Sequence, residues 1–185
     1  WGIWMSFFHS ISAFCNAGFD VMGAEGAQYV SLTSYAANPV INITVMALII
    51  IGGIGFLTWE DIVTNKYHFK KYRMQSKVIL VTTSLLIFLP AVFYFFVDFA
   101  GKAMNERIFS SLFQAVTPRT AGFNTADLTQ MTGAGRAIMI ALMLIGGSPV
   151  GTAGGMKTVT IAVLICSAFA TIRNKNSATL FGRRV

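Results

Sequence analysis

The sequence predicts an all-α membrane protein assembled from helix, re-entrant loop, helix repeats, and three observations carry the prediction. The 185 residues are 55% hydrophobic and 11% charged, with a mean hydropathy of +0.64 and 16 phenylalanines, too apolar for an ordinary soluble domain. Three runs are nearly free of charge: 26–59, 78–97, and 137–172, the last interrupted only by Lys157. Two phrases also recur in the same order. ALIIIGG at 47–53 matches ALMLIGG at 141–147 at five of seven positions, while AGF at 17–19 returns at 121–123, preceded by FHSIS at 8–12 and FQAVT at 113–117. Agreement in order points to an internal duplication rather than chance likeness between apolar stretches.

Each element follows from local signals. A short amphipathic segment leads to the first AGF. Asn38-Pro39 opens a helix, because proline suits the first turn, and this helix is expected to run to about Glu60. A basic connection follows, then a helix from about Lys77 to Asp98 with Pro90 as a kink. A bilayer core of about 30 Å takes roughly 20 helical residues, so the first two runs fit one crossing each. The segment from Asn105 to Thr117 is too short, its 13 residues spanning about 20 Å. It leads into Thr120-Ala-Gly-Phe-Asn124, irregular backbone that must return to the side it came from. The third run begins near Gln130. Its 36 residues would reach about 54 Å as one helix, so a break is expected, and GGSPVGTAGGMK at 146–157 supplies one through Pro149 and the Gly154-Gly155 pair.

Charge orients these segments. Lys66, Lys70, Lys71, Arg73 and Lys77 share one connection and Arg173, Lys175, Arg183 and Arg184 the tail, whereas 98–136 carries four basic and three acidic residues. This asymmetry places the loop around Lys70 and the C-terminus in the cytoplasm, and both AGF segments on the outer side. It explains the net charge of +7 better than nucleic acid would, and no nucleic-acid partner is expected. Cys15 and Cys166 lie in apolar surroundings without a CxxC pattern and are read as packing residues. His9 and His68 are isolated, without a metal-ligating pattern. No signal peptide is recognisable, and a chain starting mid-phrase at Trp1 suggests a piece of a longer protein.

Irregular backbone at membrane depth is tolerated where protein buries it or where it lines water. A cation crossing a bilayer can exchange its hydration shell for rings of backbone carbonyls, and aiming successive carbonyls at one axis uses angles that glycine adopts readily. Gly18 and Gly122 are therefore candidate filter glycines, each placed after a short helix whose C-terminal dipole favours cations. AGF as a mere loop turn is the competing reading, weakened by its second copy.

CNAGFD at 15–20, IGGIGF at 51–56, TPRTAGFNT at 117–125 and GGSPVGTAGGMKT at 146–158 together resemble the Ktr/Trk/HKT potassium transporters, the KtrB-type membrane subunit above all. The resemblance implies M1-P-M2 repeats of the K⁺ channel-like transporter type. Residues 1–60 would be the pore helix, filter loop and second helix of repeat two, 61–76 a cytoplasmic basic loop, 77–172 the whole of repeat three with a broken second helix, and 173–185 a cytoplasmic basic connection. It further implies K⁺ against the carbonyls of Asn16, Ala17 and Gly18 and of Thr120, Ala121 and Gly122. Phe19 and Phe123 would pack behind or below the filter, and Asp20 and Asn124 would face the outer mouth. A gating loop would comprise Gly146, Gly147, Ser148, Pro149, Gly151, Gly154, Gly155 and Lys157. Glycine at the filter position matches the K⁺-selective branch. A multi-pass subunit of the cell membrane is implied, homodimeric, with a cytosolic KtrA-like nucleotide-binding regulatory ring, K⁺ as the transported ion and Na⁺ open as a coupling or activating ion. No enzymatic chemistry is expected. The alternatives are a Na⁺-conducting member of the same superfamily and a non-transporting membrane anchor or sensor.

Two rivals bear on 146–158. GTAGGMKT at 151–158 approaches the phosphate-binding GxxxxGK[ST] pattern, but Met156 occupies the second glycine position and a membrane helix stands where a strand should. Gly147 and Gly151 could instead serve close helix packing, although the breakers exceed what packing needs. Lys157, an isolated intramembrane charge, is a functional candidate, with snorkelling to the interface as its bland alternative. Arg119 has no evident partner in the sequence and sits beside a candidate cation filter.

Overall fold

The computed structural model describes residues 2–23, 30–174, 179–181 and 183–184. Lys175 lies outside the described residues, as do the side chains of Arg183 and Arg184. The described elements are α1 (Gly2–Phe14), α2 (Pro39–Ile54), α3 (Phe56–Asn65), α4 (Met74–Phe96), α5 (Met104–Val116), α6 (Gly133–Leu144) and α7 (Thr158–Ile172), with short 3-10 turns between them and a two-residue hairpin, β1 (Thr179–Leu180) with β2 (Arg183–Arg184). The helical expectation holds.

Local chemistry explains the helix starts. The Asn38 side chain accepts from Val40 N and Ile41 N, with Pro39 in the first turn of α2, a standard N-cap arrangement. Thr132 caps α6 through Gly135 N. α4 is capped from a distance: buried Asp61 on α3 accepts from Arg73 N at 3.0 Å and from the Ser76 hydroxyl at 2.5 Å. The helix begins at Met74 rather than Lys77, and Pro90 lies inside its continuous length.

One expectation is corrected. The helix from Pro39 does not reach Glu60; it stops at Ile54 and turns by 97° into α3, which also makes residues 61–65 helical rather than loop. Gly55, at φ +91°, is the pivot, a conformation that costs a residue with a side chain about 1–2 kcal/mol. The bend frees carbonyls at the end of α2, and each gains a partner. Ile51 O accepts from the Trp59 indole at 2.8 Å, Gly52 O from Thr152 N at 3.1 Å and Gly53 O from Ser148 N at 3.0 Å. Backbone groups orphaned at a helix end need such partners. Among the described residues α4 alone is long and apolar enough to cross a bilayer as one helix.

The helices pack so that α5 lies between α2 and α4, α1 lies against α2, and α7 against α4. One apolar core joins the two halves through Ala13, Val45, Ile49, Phe113, Val116 and Phe123, and a second links α4, α5 and the segment before α6 through Ala91, Tyr94, Phe99, Ala115 and Met131. Outward faces stay apolar, with Ile3, Trp4 and Phe7 on α1, Leu85, Phe88 and Leu89 on α4, and Leu164 and Phe169 on α7 exposed. Faces of this kind suit hydrocarbon or further helices rather than water.

Candidate functional site

Two short helices, α1 and α5, end at Phe14 and Val116, and the chain beyond each adopts the same conformation. Asn16 and Gly18 have φ of +51° and +69°, and Thr120 and Gly122 have +74° and +90°, whereas Ala17 and Ala121 between them keep ordinary negative φ. Alternating handedness turns successive carbonyls toward one side, and left-handed backbone at Asn16 and Thr120 is strain that persists only where the surroundings enforce it.

The enforcement is duplicated as well. The Ser12 hydroxyl donates to Phe19 O at 2.8 Å, and the Thr117 hydroxyl donates to Phe123 O at 2.5 Å. Asp20 accepts from Met22 N and Asn124 from Ala126 N, two residues ahead in both cases, closing an Asx turn after each loop. The loop N–H groups point back into the helix ends: Asn16 N and Ala17 N bond Ala13 O and Ser12 O, Thr120 N bonds Pro118 O, and Ala121 N and Gly122 N both bond Thr117 O. Among the described residues none of the six carbonyls at 16–18 and 120–122 accepts a hydrogen bond. The loops therefore present six acceptors and, Gly18 N–H apart, withhold their donors, at the negative ends of two helix dipoles. That arrangement fits a cation.

The loops touch. A Cβ built on Gly18 would lie 2.1 Å from Ala121 O, and one on Gly122 would lie 3.5 Å from Gly18 Cα. Ala17 and residues 120–124 border one open hollow of about 250 Å³. The phenylalanines differ. Phe123 is buried in the core between the halves. Phe19 is 69% exposed; its side of the first loop opens onto an apolar hollow with Trp4, Phe7 and Ile11, where no described segment covers it. Cys15 lines the same hollow and is exposed and free, so it is not a packing residue among the described elements, whereas Cys166 is half-buried.

Directly behind the loops lies the 146–157 segment, irregular as expected. Its neck is tied by Gly146 N to Met156 O, Gly147 N to Gly154 O and Thr158 N to Gly147 O, and Ser148 is fully buried near the Thr158 hydroxyl. Its crest docks on the α2–α3 bend. Phe56 N donates to Val150 O, Gly151 sits within about 3 Å of the Gly52 and Gly53 carbonyls by the reach of a Cβ, and a Cβ on Gly55 would meet Pro149 O at 2.5 Å. Gly155, at φ +70°, passes beside Thr120, whereas Gly154 faces open space. The Lys157 ammonium donates to Ala153 O at 2.8 Å, within its own loop. Arg119 turns away from the carbonyl side and is buried, its guanidinium reaching Gly146 O at 3.5 Å.

Sequence reasoning missed Thr152, which joins the two halves. Its hydroxyl donates to Phe14 O at 2.8 Å, the last carbonyl of α1, and accepts from the Asn16 side chain at 2.8 Å. No pattern marks such a residue. For Ser12 and Thr117 the available signal is a hydroxyl closing each of the related phrases FHSIS and FQAVT.

A model of the family described as TrkH, cation transport protein, matches residues 2–185. The chain belongs to the TrkH family of cation transport proteins. The TrkH-family segment is 40% identical to the potassium/sodium uptake protein NtpJ of Enterococcus hirae, over all of this chain and 40% of that protein. It is 34% identical to the Ktr system potassium uptake protein B of Bacillus subtilis, again over the whole chain and 41% of the relative. The crystal structure of the potassium transporter TrkH from Vibrio parahaemolyticus superposes with a TM-score of 0.78 at 18% identity, covering 98% of this chain and 39% of the other, a likeness of fold. The chain thus spans about two fifths of the relatives it matches. Membership places it among membrane-embedded cation transport proteins rather than enzymes, with the all-α transporter fold that the sequence implied.

Proposed function

We propose that the segment supplies two quadrants of a K⁺-translocating pathway and the loop that gates it. The reading rests chiefly on one observation: two abutting loops with the same alternation of backbone handedness, all six carbonyls unbonded among the described residues and five of the six N–H groups engaged. The carbonyls of Asn16, Ala17 and Gly18 and of Thr120, Ala121 and Gly122 replace water around the ion, so selectivity is set by backbone dipoles and no covalent chemistry occurs. K⁺ is favoured because relatives named for potassium uptake match the whole chain; a Na⁺-conducting member is the second reading, supported by the potassium/sodium naming of the Enterococcus relative. Na⁺ as a coupling or activating ion belongs to that same question.

Residues 1–60 act as pore helix, filter loop and second helix of one repeat, and 77–172 as a complete repeat with a broken second helix. Asp20 and Asn124 face the outer mouth, and the basic segments 66–77 and 173–184 lie on the cytoplasmic side of the cell membrane. The loop 146–157 obstructs the path below the filter, with Lys157 holding it closed and repelling waiting cations. The Ktr system naming of relatives supports a multi-component assembly; the form proposed for it is a homodimer with a KtrA-like cytosolic nucleotide-binding ring. Uptake of ⁸⁶Rb⁺ by the full-length protein, with Na⁺ as competitor, tests the proposal. Saturable uptake whose K⁺ over Na⁺ preference shifts in Gly122→Ser supports it; a correctly inserted protein with no flux would leave an anchor or sensor role instead.

A further inference from the structure

Behind the two loops lies a small, partly open cavity of about 20 Å³, bordered by Asn16, Thr83, Arg119, Gly147 and Ala153 among others. Three of these residues are more than nine-tenths buried and carry a polar atom without a hydrogen-bond partner: Asn16 Oδ1, Thr83 Oγ1 and Arg119 Nε. Buried polar atoms are nearly always satisfied by protein or ordered water, and three unsatisfied atoms around one cavity call for a common partner.

We propose that this cavity is a binding site for one structural water, and that Thr83 positions the two filter loops through it. The volume exceeds the roughly 10–15 Å³ that one water needs, and three polar partners is the usual number for a buried water. The donor set fixes the chemistry. Arg119 Nε can only donate. Asn16 presents an acceptor, because its amide nitrogen is committed to Thr152 Oγ1 at 2.8 Å, and that hydroxyl spends its proton on Phe14 O. The Thr83 hydroxyl can do either. A water accepts from Arg119, donates to Asn16, and exchanges its remaining bond with Thr83. A cation would face the guanidinium, and an anion would face the Asn16 carbonyl oxygen, so neither matches the set.

The water joins four parts of the chain. Asn16 belongs to the first loop, Arg119 immediately precedes Thr120 in the second, Thr83 lies on α4, and Gly147 and Ala153 are on the gating segment. It also supplies the buried guanidinium with a polar partner besides Gly146 O, keeping that charge directed away from the carbonyl side. Thr83 forms no other side-chain hydrogen bond among the described residues, so its effect on the loops is transmitted through the bridge.

The selectivity consequence rests on the K⁺-filter reading; the water site does not. A structure of the full-length protein at a resolution that shows waters should place a peak within hydrogen-bond distance of all three atoms, near 3 Å. A dry cavity, or direct pairing of the three side chains, would overturn the site, and an anomalous peak there after a bromide soak would assign it to an anion instead. In uptake assays Thr83→Val, which keeps shape and removes the hydroxyl, should lower the K⁺ over Na⁺ uptake ratio about fivefold, the factor of one ordinary net hydrogen bond, and Thr83→Ser should restore it. A correctly inserted Thr83→Val protein with the parent ratio would refute the positioning role. A parent protein that does not discriminate K⁺ from Na⁺ would refute the filter reading instead, with the density still deciding the water.

Discussion

Replacing Gly18 and Gly122 by serine in turn separates two costs that the duplicated loops share unequally. Both positions are left-handed, at φ +69° and +90°, so either serine incurs about 1–2 kcal/mol of backbone strain. Only Gly18 adds a collision. Its new Cβ would lie 2.1 Å from Ala121 O and 3.0 Å from Ala121 C, whereas a Cβ at Gly122 meets Gly18 Cα at an ordinary 3.5 Å. Restoring contact distance at Gly18 displaces the Ala121 carbonyl by about 1 Å or more, a large fraction of the geometry by which carbonyls can discriminate between ions. If strain alone erodes the K⁺ over Na⁺ preference by about 1 kcal/mol, Gly122→Ser lowers the uptake ratio roughly fivefold. Gly18→Ser, with a carbonyl out of place, lowers it at least tenfold or stops ⁸⁶Rb⁺ uptake. The assay is competitive uptake in cells lacking other K⁺ uptake systems, with membrane levels of both variants matched by immunoblot. A Gly122→Ser protein as impaired as Gly18→Ser, or a Gly18→Ser protein with the parent ratio, would refute the side-by-side placement of the loops.

Other perturbations reach the gate and the frame. Lys157→Ala removes the ammonium bonded to Ala153 O and should raise resting ion flux, read as uptake without the regulatory partner; unchanged flux argues against a gating role. Thr152→Val cuts the link between Asn16 and Phe14 O, leaving a buried amide short of a partner at a cost of about 1–3 kcal/mol, and should increase basal flux as the gating segment loosens. Gly55→Ala places a Cβ 2.5 Å from Pro149 O and should disturb the bend and the docked loop together, seen as faster proteolysis near 146–157. Asp61→Ala orphans Arg73 N and Ser76 Oγ and should lower thermal stability by about 1–3 kcal/mol without changing ion selectivity.

Much of this was legible in the sequence, because membrane segments obey few rules. Length and charge placed α4 and α5 within a residue or three, and the excess length of 137–172 required the break that the structure shows at 146–157. The repeated AGF located both loops, since glycine at a left-handed position leaves a sequence mark. What stayed hidden depends on tertiary partners. The α2 break at Gly55 is stable because Ser148, Thr152 and Val150, about a hundred residues away, satisfy the backbone it exposes. Composition cannot announce such a partnership, and a glycine pair in an apolar run reads equally as packing. Phe19 is exposed where Phe123 is buried, because equivalence in sequence does not guarantee equivalent neighbours among the described residues. Arg119 looked out of place beside a cation filter until the backbone turned its side chain toward Gly146 O and Asn16's cavity.

The central claim is that the carbonyls of 16–18 and 120–122 hold the permeating ion. Soaking crystals of the full-length protein with Tl⁺ and collecting anomalous data tests it most directly. A Tl⁺ peak coordinated by carbonyl oxygens from both loops at once is the expected result. A protein active in uptake whose Tl⁺ peaks all lie away from these six oxygens would contradict it.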